Sequence, residues 1–173
     1  MISAEYIRLM AAYTQWQNQS IYGTASTLPD AARLEDRGAF FGSIHRTLNH
    51  LLWGDQLWLH RLARTPAPKS PDIPGSTEQH VDWDALRTAR EETDRRMLDW
   101  SKQVSASDLA GELSWFSGAI QTEVSRPRWA LVVQLFNHGT HHRGQVHAML
   151  TAAGAQPADT DVPFMNSTEY PWR

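Results

Sequence analysis

The stretch that organises this chain is Phe136-Asn137-His138-Gly139-Thr140-His141-His142-Arg143-Gly144-Gln145-Val146. His138 and His142 are four residues apart, so on a helix they lie about 40° apart around the axis. That spacing lets two imidazoles on one helix face bind the same metal ion. Both rings interrupt an otherwise inward-facing stripe, which comprises Leu131, Leu135, His138, His142, Gln145 or Val146, and Met149.

Two interpretations of this pair are open. The chain contains eight histidines, so a pair four residues apart can arise by chance, and the rings could simply pack in the core. The metal interpretation is favoured because buried polar groups need partners, and one ion would satisfy a nitrogen of each ring. A further histidine on another strong helix also favours it.

Composition sets limits on the class of protein. With 173 residues, of which 41% are hydrophobic and 20% charged, the chain is typical of a single globular domain over residues 1–173. A net charge of −3 without a basic run argues against nucleic-acid binding. No apolar run of membrane-spanning length and no signal peptide occur, so we expect a cytoplasmic protein with no membrane partner. Cysteine is absent, so any metal ligands must be His, Asp or Glu.

Helical periodicity of apolar residues predicts four long helices. They cover residues 3–26, 38–63, 83–104 and 127–153, with Ser3 as a predicted N-cap of the first. Residues 30–37 are interpreted as a connector. Residues 64–80 contain four prolines within nine residues, which predicts an extended linker. Residues 105–126 are predicted to form two short strands around a turn.

These elements predict an all-α fold, a four-helix bundle with one long crossover between helices two and three and a short hairpin before helix four. Metal sites in such bundles are built from inward side chains on facing helices. His50 lies near the middle of helix two, at the depth expected of such a site. We therefore predict a metal site of His50, His138 and His142. Three imidazoles can bind Zn²⁺, Ni²⁺, Fe²⁺ or Mn²⁺ and leave coordination positions open, as in catalytic sites.

Two segments together carry a resemblance to a known family. They are Thr47-Leu48-Asn49-His50-Leu51-Leu52-Trp53-Gly54-Asp55 and Asn137-His138-Gly139-Thr140-His141-His142-Arg143-Gly144-Gln145-Val146. The chain resembles the DinB family of four-helix-bundle metalloproteins, and the likeness extends to Tyr13–Trp16 and to the tail at 159–163. The resemblance implies an up-down-down-up bundle, often a homodimer, with a divalent metal on three histidines. Matched residue by residue, those are His50, His138 and His142.

The resemblance also suggests a reaction class. Relatives include transferases and isomerases that use the small thiols bacillithiol, mycothiol or glutathione. We therefore expect a metal-dependent enzyme acting on a small-molecule substrate, such as a small-thiol S-transferase, or a hydrolase. Because the chain has no Cys, a sulfur nucleophile would have to come from a low-molecular-weight thiol. The alternative is a non-catalytic metal-binding bundle of the stress response. The sequence assigns no catalytic residue.

The remaining polar residues near these motifs receive weaker predictions. His45 and His60 are expected to be partly exposed, and His80 to face solvent. Asp55 is interpreted as a surface residue, and Asn49 and Asn137 are assigned no role. His141 lies about 100° around the helix from His142, so we expect it to point away from the metal. Arg143 is also left without a role. The segment 159–164 is expected to fold back over the bundle.

Overall fold

Six α-helices and one two-stranded sheet make up the computed structural model, which describes residues 2–170. The helices are α1 (Ala4–Ser26), α2 (Asp30–Leu34), α3 (Ile44–Ala63), α4 (Ile73–Ser76), α5 (Trp83–Gln103) and α6 (Arg128–Ala152). Strands β1 (Glu112–Ser117) and β2 (Thr122–Pro127) pair antiparallel. Single 3-10 turns cover Ser107–Leu109 and Val162–Phe164. Among residues 2–170, no helix is both long and apolar enough to cross a membrane.

The ends of the long helices follow local chemistry. The side chains of Ser3, Ser43 and Asp82 accept hydrogen bonds from backbone N–H groups in the first turns of α1, α3 and α5, which satisfies donors that a helix leaves free. Gly154 follows α6 with a φ of +82°, a left-handed conformation that glycine adopts without strain. The predicted cap at Ser3 is confirmed.

The sequence placed the start of the second long helix too early. Residues 38–43 form a tight turn with an isolated bridge between Ala39 and Gly42, and α3 begins only at Ile44. Gly38 and Gly42 both have left-handed φ values, which end any helix there. Phe40 and Phe41 fit the apolar periodicity of a helix and were therefore included in it. The residue that marks the start of α3 is its N-cap, Ser43.

Two short helices also depart from the predictions. The connector at 30–37 contains α2, and the linker at 64–80 contains the single turn α4. Prolines were expected to forbid a helix here. Pro74 is instead tolerated because it lies at the start of α4, where its missing N–H is not needed, and Asp72 caps the turn. The predicted hairpin is confirmed, with Trp115 opposite Val124.

A polar layer crosses the middle of the helix assembly. Helix α3 packs against α5 and α6, and α1 packs against the same two helices. Along each long helix, one apolar cluster precedes the layer and a second follows it. The layer comprises Asn18 on α1, His50 and Asp55 on α3, Arg90 and Asp94 on α5, and His138, His142 and Arg143 on α6. The fold therefore brings these polar groups from distant parts of the chain into its interior.

Candidate metal centre

The three predicted histidines meet inside this layer. His50 on α3 and His138 and His142 on α6 each offer a ring nitrogen, and these nitrogens all lie within 4.8 Å of one another. His50 is 4% exposed and His142 is 6% exposed, whereas His138 is half-buried. Because α3 and α6 pack directly together, a pair from one helix and a single ring from the other form one cluster.

Hydrogen bonds fix which nitrogen of His50 faces the cluster. The Ser76 hydroxyl donates to the carbonyl of Ile73 at 2.5 Å, so its oxygen accepts the Nδ1–H of His50 at 2.8 Å. Nε2 of His50 is therefore the unprotonated nitrogen in the neutral ring. It lies 3.2 Å from Nε2 of His138. Such outer contacts are the ones that orient histidines for metal binding.

His142 is oriented in the same way from within its own helix. Its Nδ1–H donates to Oε1 of Gln145 at 2.7 Å, which leaves Nε2 with a free lone pair. For His138, Nδ1 is buried and has no hydrogen-bond partner within the described part of the chain. The one N–H of a neutral His138 can donate from Nε2 to Nε2 of His50, which leaves Nδ1 of His138 as a buried acceptor without a partner among the described residues.

The electrostatics keep these rings uncharged. Burial, followed by the neighbouring imidazoles of His138 and His142, lowers the pKa of His50 to about 3. Burial also lowers the pKa of His142 to about 4, against the opposing hydrogen bond to Gln145. The pKa of His138 is lowered too, mainly by burial. A metal ligand must be a neutral imidazole, so burial prepares all three rings for that role.

The residues fit a divalent metal ion. Two nitrogens bound to one tetrahedral Zn²⁺ at about 2.0–2.1 Å lie about 3.3 Å apart, close to the separation of the two Nε2 atoms. Without an ion, the Nε2–H of a neutral His138 ring donates to Nε2 of His50 at this distance, and Nδ1 of His138 is then left buried without a partner in residues 2–170. The donor set is purely nitrogen, which suits zinc, nickel, iron or manganese without selecting among them.

Glycine and aromatic residues shape the surroundings. A Cβ on Gly54 would lie 2.6 Å from Cε1 of His138, so the glycine permits the close approach of α3 to that ring. The Phe41 ring lies 4.0 Å, centroid to centroid, from His50 and 5.5 Å from His142. Trp53 lies 5.6 Å from His50 on the same helix. These aromatic groups limit the access of water to the cluster.

Four predictions about neighbouring polar residues are corrected by the structure. His45, expected to be partly exposed, is buried, and its Nε2–H donates to the carbonyl of His80 at 2.9 Å. His80, expected in solvent, is buried as well. Asp55, interpreted as a surface residue, is 1% exposed and pairs with Arg90 at 2.7 Å. Asn49, which was assigned no role, holds the backbone of His80 through two hydrogen bonds, of 2.9 and 3.0 Å.

Other predictions hold, and one contributor was missed. His60 is exposed, as is His141, whose ring nevertheless lies 4.9 Å from that of His142. Asn137 is exposed as well. Ser76, the partner of His50, was missed because it lies in the proline-rich linker. The signal that could have revealed it is the Asp72-Ile73-Pro74-Gly75-Ser76 sequence, an N-cap followed by a proline at a helix start.

Comparison with known proteins identifies the family to which the chain belongs. The model of the DinB family matches residues 1–173. A relative, Protein DinB of Bacillus subtilis (strain 168), is 25% identical over 164 residues, which cover 91% of this chain and 93% of the relative. No solved structure gives a significant match. Because the family model spans the whole chain, the protein belongs to the DinB family.

Proposed function

We propose that the protein binds one divalent metal ion through His50, His138 and His142 and acts as a metal-dependent enzyme. The observation that carries the proposal is the set of three uncharged imidazoles, from two helices, whose ring nitrogens all lie within 4.8 Å of one another. A packing role would not require two of these rings to be oriented by Ser76 and Gln145. Family membership supports the same assignment.

The reaction class that we propose is transfer of a small thiol to an electrophilic substrate. A bound divalent ion would act as a Lewis acid and favour the thiolate form of a coordinated thiol. The chain itself supplies no thiol, because it contains no cysteine. Its residues would hold the ligand rings neutral and oriented, while Phe41 and Trp53 restrict water at the site.

The assembly that we propose is a homodimer of up-down-down-up bundles, in which residues 64–80 form the long crossover. Exposed large apolar side chains offer surface that a second copy could cover. Those more than half exposed are Leu34, Phe40, Val81, Phe116, Ile120 and Phe164.

Metal content tests the proposal first. Tag-free wild-type protein should contain about one divalent ion per chain by elemental mass spectrometry. A His138→Ala/His142→Ala variant should contain none, because two of three ligands are gone. His141→Ala is the matched control, since it removes a histidine from the same turn that lies outside the cluster. Loss of metal from this control as well, or no metal in the wild type after reconstitution with Zn²⁺, Ni²⁺, Fe²⁺ and Mn²⁺, would refute the site.

Non-catalytic metal binding is the second candidate, and the burial of His50 and His142 favours it. The two functions differ in whether the loaded site turns over substrate. Metal-loaded wild-type protein would be incubated with bacillithiol, mycothiol or glutathione and a panel of electrophiles. Thiol consumption that exceeds that of the double alanine variant supports the enzyme. A loaded protein that consumes no thiol and hydrolyses no ester supports the passive binder.

A further inference from the structure

A second cavity lies on the far side of α6 from the histidine cluster. It has a volume of about 270 Å³ and is bounded by α1, α6 and the tail at residues 159–161. Its polar lining consists of Tyr13, Gln17, Thr140, Arg143, His147 and Thr160. At about 100° per residue, Thr140 and His147 lie about half a turn from the mean direction of His138 and His142, and Arg143 lies about 120° from it. We call this space the α1–α6 cavity.

Arg143 is the unusual group in the wall of this cavity. It is 4% exposed, and its guanidinium makes one hydrogen bond, from Nη2 to Oγ1 of Thr140 at 3.3 Å. Nη1 is buried and lacks a hydrogen-bond partner within residues 2–170. The guanidinium carbon lies 5.7 Å from the centre of the Tyr13 ring. A buried arginine is normally paired with an anion.

No carboxylate of the described residues forms an ion pair with Arg143. Asp55 and Asp94 are the nearest buried acidic groups, and both are bound to Arg90, at 2.7 and 2.8 Å. The interior thus contains one arginine that two carboxylates bind directly, and another that feels the charges of Asp55 and Asp94 without a direct ion pair. The second of these lines the α1–α6 cavity, which has room for a small molecule.

The charges around the cavity select the kind of anion. Arg143 is the only arginine or lysine in the described lining, and Asp161 on the tail acts electrostatically on Tyr13 nearby. One cation beside an acidic residue suits a monoanion better than a phosphate dianion. A guanidinium also matches the planar geometry of a carboxylate. Ile21 and the Tyr13 ring supply apolar surface for a short hydrocarbon body.

We propose that the α1–α6 cavity binds the carboxylate of a small organic acid on Arg143. The tail forms one wall of the site, because Tyr13 donates to the carbonyl of Thr160 at 2.8 Å and Gln17 donates to that of Asp159 at 2.9 Å. Arg143 belongs to the same polar layer as the histidines and acts electrostatically on His138, but carboxylate binding in the cavity does not depend on the proposed metal chemistry.

The test is a titration of isotope-labelled full-length protein, followed by the backbone amide NMR signals of residues 139–147. The probes are butyrate, its neutral analogue butyramide, and inorganic phosphate, at constant ionic strength. We expect saturable shifts with butyrate and binding of butyramide that is weaker by about tenfold or more, because a charge-assisted hydrogen bond is lost. Equal binding of butyramide, no saturable butyrate binding, or tighter binding of phosphate would each overturn the proposal.

Two variants show where butyrate binds. A Cβ on Gly144 meets no atom within 4 Å, so Gly144→Leu can project into the cavity mouth without a backbone clash and should weaken butyrate binding about tenfold or more. Gly23→Leu is the matched control, because Gly23 is equally unobstructed in α1 but lines a different cavity. Arg143→Gln should abolish binding if it folds. Undiminished binding in the Gly144→Leu variant would refute the site even if Arg143→Gln does not fold.

Discussion

Two regions of the same polar layer differ in how their buried polar groups are accommodated: one pairs opposite charges, and the other keeps its rings neutral. In the network of Asp55, Arg90 and Asp94, the arginine pairs with both carboxylates, and Asn18 donates to Asp94 at 2.9 Å. In the histidine cluster, three neutral rings from two helices bring their nitrogens within 4.8 Å of one another. The network pairs its buried charges within the chain, whereas the cluster contains only neutral nitrogen ligands and could hold a metal cation. A buried polar group that finds its partner within the chain supports the fold, whereas a buried group without such a partner can bind a ligand.

The largest expected effect comes from breaking the complete network. Arg90→Met leaves Asp55 and Asp94 buried without a counter-charge, so the free energy of unfolding should fall by about 3–5 kcal/mol. Urea denaturation measures this loss. Arg96→Met is the control, because Arg96 pairs with Glu92 in a partly exposed bridge worth at most about 1 kcal/mol. Equal losses in both variants would remove the distinction between the network and the protein surface.

An intermediate effect is expected where α3 approaches the cluster. The Cβ of Gly54→Ala would come 2.6 Å from Cε1 of His138, so the ring must shift. We expect the variant to lose about 1–3 kcal/mol of stability through overpacking, and to retain less metal than the wild type.

Gly144→Ala is the control for this change, because its Cβ meets no atom within 4 Å. It should be stabilising by about 0.5–1 kcal/mol, as is usual for Gly to Ala within a helix. Urea denaturation and elemental mass spectrometry distinguish the two variants. Full metal retention in Gly54→Ala would show that the glycine does not position His138.

A further effect, which builds up gradually over several pH units, is the pH dependence of the metal-free protein. His142 has a folded pKa of about 4, below its ordinary value of 6.5, so between these values the unfolded chain binds more protons. The free energy of unfolding should therefore fall as the pH decreases through this range, by up to about 1.4 kcal/mol per pH unit from this residue.

His142→Leu isolates that contribution. Burial raises the pKa of Asp94 to about 6, which acts in the opposite direction in both proteins and cancels in their difference. Urea denaturation of metal-free wild type and variant at several pH values gives the two slopes. A variant slope as steep as that of the wild type would show that His142 is not held neutral by the fold.

Much of the fold could be predicted because its signals are local. Apolar periodicity located the four long helices, and the cap at Ser3 was visible as a residue type. The error at residues 38–43 arose where two adjacent phenylalanines suggested helical periodicity although two glycines adopt left-handed conformations. The short helix α4 was missed because four nearby prolines indicated an extended linker. The cap Asp72 and the proline at the helix start were not recognised as a helix signal.

The burial of individual polar residues could not be predicted in the same way. His45, His80 and Asp55 were assigned to exposed or partly exposed positions because their types are usually exposed, yet all three are buried against partners far along the chain. Each partner lies more than 30 residues away along the chain, so no local sequence pattern indicates which residue it is. The same reason explains why Asn49 had no apparent role before its contact with His80 was known.

The sequence by itself determined the ligand types and their spacing. The absence of Cys and the four-residue step from His138 to His142 are properties of the chain alone, and helix geometry places those two rings on one face. His50 was predicted as the third ligand from its depth in helix two, but only the tertiary structure decided that Ser76 orients it and that Arg143 lines a cavity without a direct ion pair to any described residue. The physical reason is that helix periodicity is a local property, whereas the partner of a buried polar group is fixed by which helices pack together.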